Sequence, residues 1–338
     1  MERFALKANK AAKELGASTK SYANASLIYY QQGLGDEDVA ARTSTTIKAA
    51  NVTGQSAQSV SEQLTAVWNG YKVSAAESEL YIDKLAAVAA STAADLEELS
   101  IGMSRVASAA NVMGVDIDQL NAQLATIVSV TREAPESVGT ALKTVFARMS
   151  DLEAGTDAET TLGEYTKQMA QFGIKALDAN GNLRDMGDVI EEIGAKWDTL
   201  NRNQQVALAQ TIAGTRQYSR MMALFDNWSM YEESLKTSAN AMGTLQQQQD
   251  TYMESTEAHL QKLSTQAEEL YNNLFDAESI NDVADGLTKV VGGMDTFVQS
   301  IGGGLGILKI MAPLLLTAFG PQLSRGISTA ALNIQSMV

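Results

Sequence analysis

Asp178, Asn180 and Asn182 come nearest to a ligand-holding pattern, because oxygen-bearing side chains at alternate positions are how a calcium loop begins. The rest of that pattern is missing. Counted from Asp178, glycine falls at the fourth position, Gly181, where the loop needs it at the sixth, and the twelfth is Val189 rather than a bidentate glutamate. The segment reads instead as a tight turn. Asn180-Gly181 tolerates positive φ at both central positions of a type I′ turn, and Leu177 and Leu183 flank it as in a short β-hairpin near residues 174–184. No metal is expected there.

His259 is the sole imidazole, and Ser255 rather than a carboxylate stands one turn before it. A His-based triad or a His-ligated zinc lacks partners in such a chain. There is no cysteine, which removes disulfides, thiolate nucleophiles and Cys-ligated metals and fits a reducing cytosol. The pairs Glu97-Glu98, Glu191-Glu192 and Glu268-Glu269 lie opposite apolar stripes, as solvated faces do. Two carboxyls converging on a cleft would be needed for glycoside hydrolysis, which keeps peptidoglycan cleavage as the enzymatic alternative. Gly302 to Gly306 lack the Lys-Ser or Lys-Thr of a phosphate loop. The expectation is a non-enzyme with no catalytic, metal-binding or cofactor-binding residues.

The elements around these residues are helical. Pro135, Pro313 and Pro321 are the only prolines in 338 residues, where average usage would give about 17. With 45% hydrophobic residues, the fold expected is mainly α, an antiparallel helical bundle or array. The net charge of -15, with no clustered Lys and Arg, argues against nucleic-acid binding. Glu2, Lys7, Lys10, Lys13 and Glu14 interrupt the apolar run that a signal peptide would need.

Helices are expected over 2–15 and 18–32, split at Gly16, and another begins at Asp36. Val60, Leu64, Val67, Trp68 and Tyr71 share one face of the next. Ser74 with Glu77, and Asp95 with Glu98, read as capping boxes. Leu96, Leu99, Met103, Val106, Ala110 and Met113 keep a three-four alternation up to Gly114. Asp116 opens a helix that Pro135 closes, and Val138, Leu142, Val145, Met149 and Leu152 continue the rhythm to Gly155. Further helices are expected from Glu159 to Phe172, through Val189 and Trp197 to about Asn201, from Asn203 to Gly214, and from Thr215 to Trp228. Between Leu245 and Phe275, Met253, Thr256, Leu260, Leu263, Ala267, Leu270 and Leu274 form a heptad-like seam on one long, partner-facing helix.

From Ile301 to Phe319 the sequence holds a single charge, Lys309, behind the flexible run Gly302-Gly303-Gly304. Two readings stand. The stretch is either a buried helical hairpin or a bilayer-entering segment presenting Ile307, Ile310, Leu314, Leu315, Leu316 and Phe319. In the second case Lys309 would cost roughly 2.5–3.5 kcal/mol at the membrane centre unless it snorkelled.

Three blocks between Ser137 and Trp228 resemble the helical domain of phage tail tape-measure proteins. Val138 to Met149, with Gly139 and Arg148, is similar to the helix ahead of that family's glycine-terminated turn. Gly173, Ile174, Asp178, Gly181, Leu183 and Arg184 resemble its short hairpin. Ala213-Gly214-Thr215-Arg216-Gln217-Tyr218-Ser219 resembles its Gly-x-Arg-Gln helix junction. Order and spacing carry the likeness, and more loosely it extends over residues 36–275.

The resemblance implies a structural role with no cofactor: occupying the lumen of a growing tail tube, setting its length and leaving ahead of the genome. It implies tail-tube, tail-tip and tail-assembly chaperone partners, self-association in the tail, no sequence-specific nucleic acid, and a host membrane as target of the apolar segment. Localisation would be the virion tail, assembled in the host cytoplasm. The domains expected are N-terminal helices at 1–35, a tape-measure-like helical domain at 36–275, a connecting helix at 276–300 and the apolar segment at 301–338. Family members are usually longer, so the chain is expected to be a piece or a short member. As one helix it would reach roughly 500 Å, but Gly155, the hairpin and the short turns fold it back. A pore-forming helical toxin is the alternative, with residues 301–319 inserting.

Overall fold

The structure, a computed structural model, describes residues 2–157 and 160–276. Contacts divide the chain after Met253, and the helix beyond that point is described by itself. Among the described residues there are fourteen α-helices and no strand. They are α1 (Glu2–Glu14), α2 (Thr19–Gln31), α3 (Asp36–Thr53), α4 (Ala57–Tyr71), α5 (Ser78–Ser91), α6 (Leu96–Val112) and α7 (Ile117–Thr131). These are followed by α8 (Pro135–Ala154), α9 (Leu162–Gln171), α10 (Met186–Lys196), α11 (Arg202–Phe225), α12 (Trp228–Ala239), α13 (Thr244–Met253) and α14 (Thr256–Asp276). The mainly α expectation is met.

Capping chemistry sets many of these boundaries. At α6, Asp95 accepts the Glu98 N–H at 2.7 Å while Glu98 accepts the Asp95 N–H at 3.1 Å. Asp116 with Gln119, Thr161 with Glu164 and Asn201 with Gln204 repeat that reciprocal pair at α7, α9 and α11. Ser74 and Glu77 do bond, Oγ to Oε2 at 2.6 Å, but they close a turn ahead of α5. Glu77 and Ser78 donate their N–H groups three residues back, to Ser74 and Ala75, so helix begins only at Ser78. Pro135 opens α8 instead of ending α7, because a residue without an N–H loses nothing in the first helical turn. Arg132 ends α7, in a left-handed conformation with φ 54°.

α6 is the centre of the packing, with α4 on one side, α8 on another and α7 also against it. Glycines bring the backbones together. A Cβ on Gly70 of α4 would lie 2.8 Å from both the Ala107 Cβ and the Ser108 nitrogen, and one on Gly139 of α8 would lie 2.3 Å from the Gly102 carbonyl oxygen. Trp68, Leu64, Leu99, Met103, Leu120, Leu124, Phe146 and Trp197 fill the core around these crossings. Burial at 25–30 cal/mol per Å² of apolar surface makes this interior the main stabilising force.

α13 is fastened by polar contacts from far away in sequence. The buried Asp83 of α5 accepts the N–H groups of Gly243 at 2.8 Å and Leu245 at 2.7 Å, serving as the cap that α13 lacks locally. Gln249 donates to the Leu15 carbonyl at 2.9 Å and accepts from Asn51 at 3.1 Å.

Two expected elements are corrected. The β-hairpin near 174–184 is a loop with one antiparallel bridge, Leu177 to Leu183. Asn180 does not adopt positive φ, so a type I′ turn does not form; Gly181 alone is left-handed, at φ 88°. The long helix expected over 245–275 is interrupted at Glu254 and Ser255. Ser255 competes for the helical amides, its Oγ accepting the Ala258 N–H at 3.1 Å as an N-cap does. The connecting helix at 276–300 lies, apart from Asp276, outside the described residues. So does the apolar segment with Ile307, Ile310, Leu314, Leu315, Leu316 and Phe319. Among the described residues no helix is long and apolar enough to cross a membrane.

Candidate functional site

The motif residues singled out in the sequence fall into three places. Gly139 stands at the α6–α8 crossing, where close backbone approach requires it. Arg148 and Gly214 meet at a second place, although 66 positions separate them. α11 breaks its helical geometry at Gly214, with φ 67° and ψ 176°. A side chain at that backbone conformation is strained, so glycine is needed. The break frees carbonyls of the preceding turn, and the Arg148 guanidinium of α8 donates to two of them, Thr211 at 2.7 Å and Ile212 at 3.2 Å. Its Nε lies 3.5 Å from an Asp157 carboxylate oxygen, both side chains being largely buried.

Tyr165 of α9 is close by. Burial pushes its hydroxyl above the ordinary tyrosine range, and the Arg148 charge draws it partly back. Arg148, Glu164, Gln168, Gln171, Gln210 and Thr211 line a groove of about 520 Å³ between α9 and α11. Gln168 accepts the Thr211 hydroxyl at 3.1 Å across it. Arg216 is exposed one turn on, and Gln217 accepts from Arg220, whose guanidinium pairs with Glu133.

The third place is the loop between α9 and α10. Asp178 organises it by accepting the N–H groups of Asn180 at 2.8 Å and Asn182 at 3.0 Å. Its backbone bonds, that of Asn182 first, hold its carboxyl below the usual range. Arg184 donates to the Lys175 carbonyl at 2.7 Å and to Glu192 at 2.6 Å, and Lys196 donates to Glu192 at 3.0 Å and to the Gly173 carbonyl. For Glu192, desolvation acts to raise the pKa, but the Arg184 and Lys196 bonds outweigh it and the carboxyl sits below its ordinary value. The Asp178 oxygens are thus spent on their own backbone, in an Asx turn. Gly173, with φ 68°, Asp178, Gly181 and Arg184 therefore share one small polar cluster facing α10.

Sequence reasoning missed Asp157, Glu192, Lys196 and Asp83, the partners that hold these places. No spacing rule marks them, since Arg148 reaches 63 residues to Thr211 and Asp83 reaches 160 to Gly243. The carboxylate pairs Glu97-Glu98 and Glu191-Glu192 are used in structure: Glu98 caps α6, Glu191 accepts from Gln119 and Tyr231, and Glu192 takes two cations. Among the described residues no three His, Cys, Asp or Glu side chains are grouped as a metal site would group them.

Helix crossings, capped junctions and arginines spent on backbone carbonyls define a mainly helical structural array. Over residues 9–214 the chain matches the family described as phage-related minor tail protein, and it belongs to that family. It is therefore a phage tail protein, a component of the virion tail that works among other tail components. No solved structure matches the chain.

Proposed function

We propose that this minor tail protein acts as a tape measure: it occupies the tail-tube lumen, contributes to tail length, and leaves ahead of the genome at ejection. The observation that carries the reading is the family match, which spans most of α1 to the Gly214 break. The fold supports it. Proline-poor helices joined by short turns can be drawn out into longer helix, and the net charge of -15 keeps the chain from adhering to the DNA behind it. The role is structural rather than catalytic. Tail-tube, tail-tip and chaperone proteins are the partners this implies, with copies of the chain associating in the tail.

Tail length is the test. Removing the 21 residues of α14 in frame is expected to shorten virion tails by about 32 Å, at 1.5 Å per helical residue. Tails of unchanged length and full infectivity would remove the measuring role from this helix.

The sequence of residues 301–319 supports a second element of the proposal, entry of this apolar segment into the host membrane at ejection. Leu315→Asp is expected to abolish association of the purified chain with liposomes while leaving its helicity intact. Unchanged association would sink the membrane element. Leakage from liposomes in the absence of any phage component would favour the pore-forming alternative over the tape measure.

A further inference from the structure

The apolar pattern of α11 is incompatible with a straight helix lying on one core. Its first half buries Leu208, Ala209, Ile212 and Ala213, and its second buries Met221, Met222, Leu224 and Phe225. At about 100° per residue these two sets would point about 170° apart on a continuous helix. The break at Gly214 is what lets both reach the core.

We propose that Gly214 is a hinge, that Arg148 is the catch holding it bent, and that opening it turns the Met221, Met222, Leu224 and Phe225 face outward as a docking face for another protein of the tail. The assignment of the partner rests on membership of the tail family. The hinge itself rests on geometry.

Three observations support it. The Gly214 conformation, φ 67° with ψ 176°, lies in a region reached almost solely by glycine, and strain of this kind persists only where surrounding structure imposes it. The bend forfeits helical hydrogen bonds, and the Arg148 bonds to Thr211 and Ile212 replace two of them from outside the helix. The catch is anchored in turn, with Asp157 against its Nε and Tyr165 beside it. A straight α11 would recover its own hydrogen bonds and leave Arg148 without carbonyls to bind. The element therefore has two arrangements, one buried on both halves and one continuous but undocked on the second half.

Native-state hydrogen exchange tests the catch. In Arg148→Gln the amides of residues 221–225 are expected to exchange at least about tenfold faster, while those of α4 and α6 keep their rates. Exchange that is unchanged, or that rises equally in α4, α6 and α11, overturns the proposal. The absence of cysteine allows spin labels at Asn203→Cys and Ser219→Cys, both exposed positions on α11. Wild type is expected to give one distance shorter than the about 24 Å that sixteen residues of continuous helix would set. Gly214→Ala is expected to add a population at the longer distance. A single short distance in folded Gly214→Ala overturns the hinge, and if that variant does not fold, the exchange result on Arg148→Gln decides.

Discussion

Gly139→Leu is expected to lower the unfolding free energy by about 3 kcal/mol or more in a urea titration. The cause is geometric. A Cβ at this position would sit 2.3 Å from the Gly102 carbonyl oxygen and 3.1 Å from the Arg105 Cβ. The nearer atom is backbone inside α6, which cannot turn aside as the end of a flexible side chain would. The two helices must separate, and with them the Met103 and Leu142 layers of the core. Even Gly139→Ala should cost about 1–3 kcal/mol, although alanine has the better helix propensity by about 1 kcal/mol. Gly163 in the first turn of α9 is the control, since nothing lies within 4 Å of a Cβ there. If alanine at 139 proves as benign as alanine at 163, close approach is not what the glycine provides.

Asp83→Ala is expected to release α13. Its carboxylate satisfies two amides, Gly243 and Leu245, at a site where Asp83 is only 4% exposed. Leaving two buried donors unpaired costs about 2–6 kcal/mol, at 1–3 each. The helix limits that loss by undocking, so the readout is local: amides of residues 244–253 lose protection and the chain becomes cleavable beside the exposed Met242. Asp83→Asn keeps one acceptor and should lose about half as much. Wild-type protection of α13 in Asp83→Ala would show that Leu245 and the Gln249 bonds hold it without the cap.

What could be read from the sequence was whatever depends on neighbours in the chain. Asp95, Asp116 and the three-four spacing of Leu96 to Met113 encode start and stop signals within a turn of the residues they act on. The crossing glycines also showed as motif positions. Legibility ended where an outcome depended on competition. Asn180-Gly181 suits a type I′ turn locally, but the Asp178 carboxylate offers the loop backbone a different partner. The seam from Leu245 to Phe275 is apolar enough for one helix, yet Ser255 diverts an amide and starts a new one. The Pro135 signal was read at the right place with the wrong side. The Arg148 contact was beyond reach altogether, because an arginine carries no mark of the carbonyls it will find 63 residues later.

The trans cap on α13 also fixes an order of events in the cell. Asp83 leaves the ribosome 160 residues before the Gly243 amide it will bind. At about 5–20 residues per second, that is roughly 8–32 s during which the carboxylate has only water for company. α5 must therefore hold its place in the nascent bundle with a hydrated charge at its rim, and the last helix of this unit closes over it when translation arrives there. A pause or a truncation before residue 243 would leave a folded body with a solvated notch where α13 belongs.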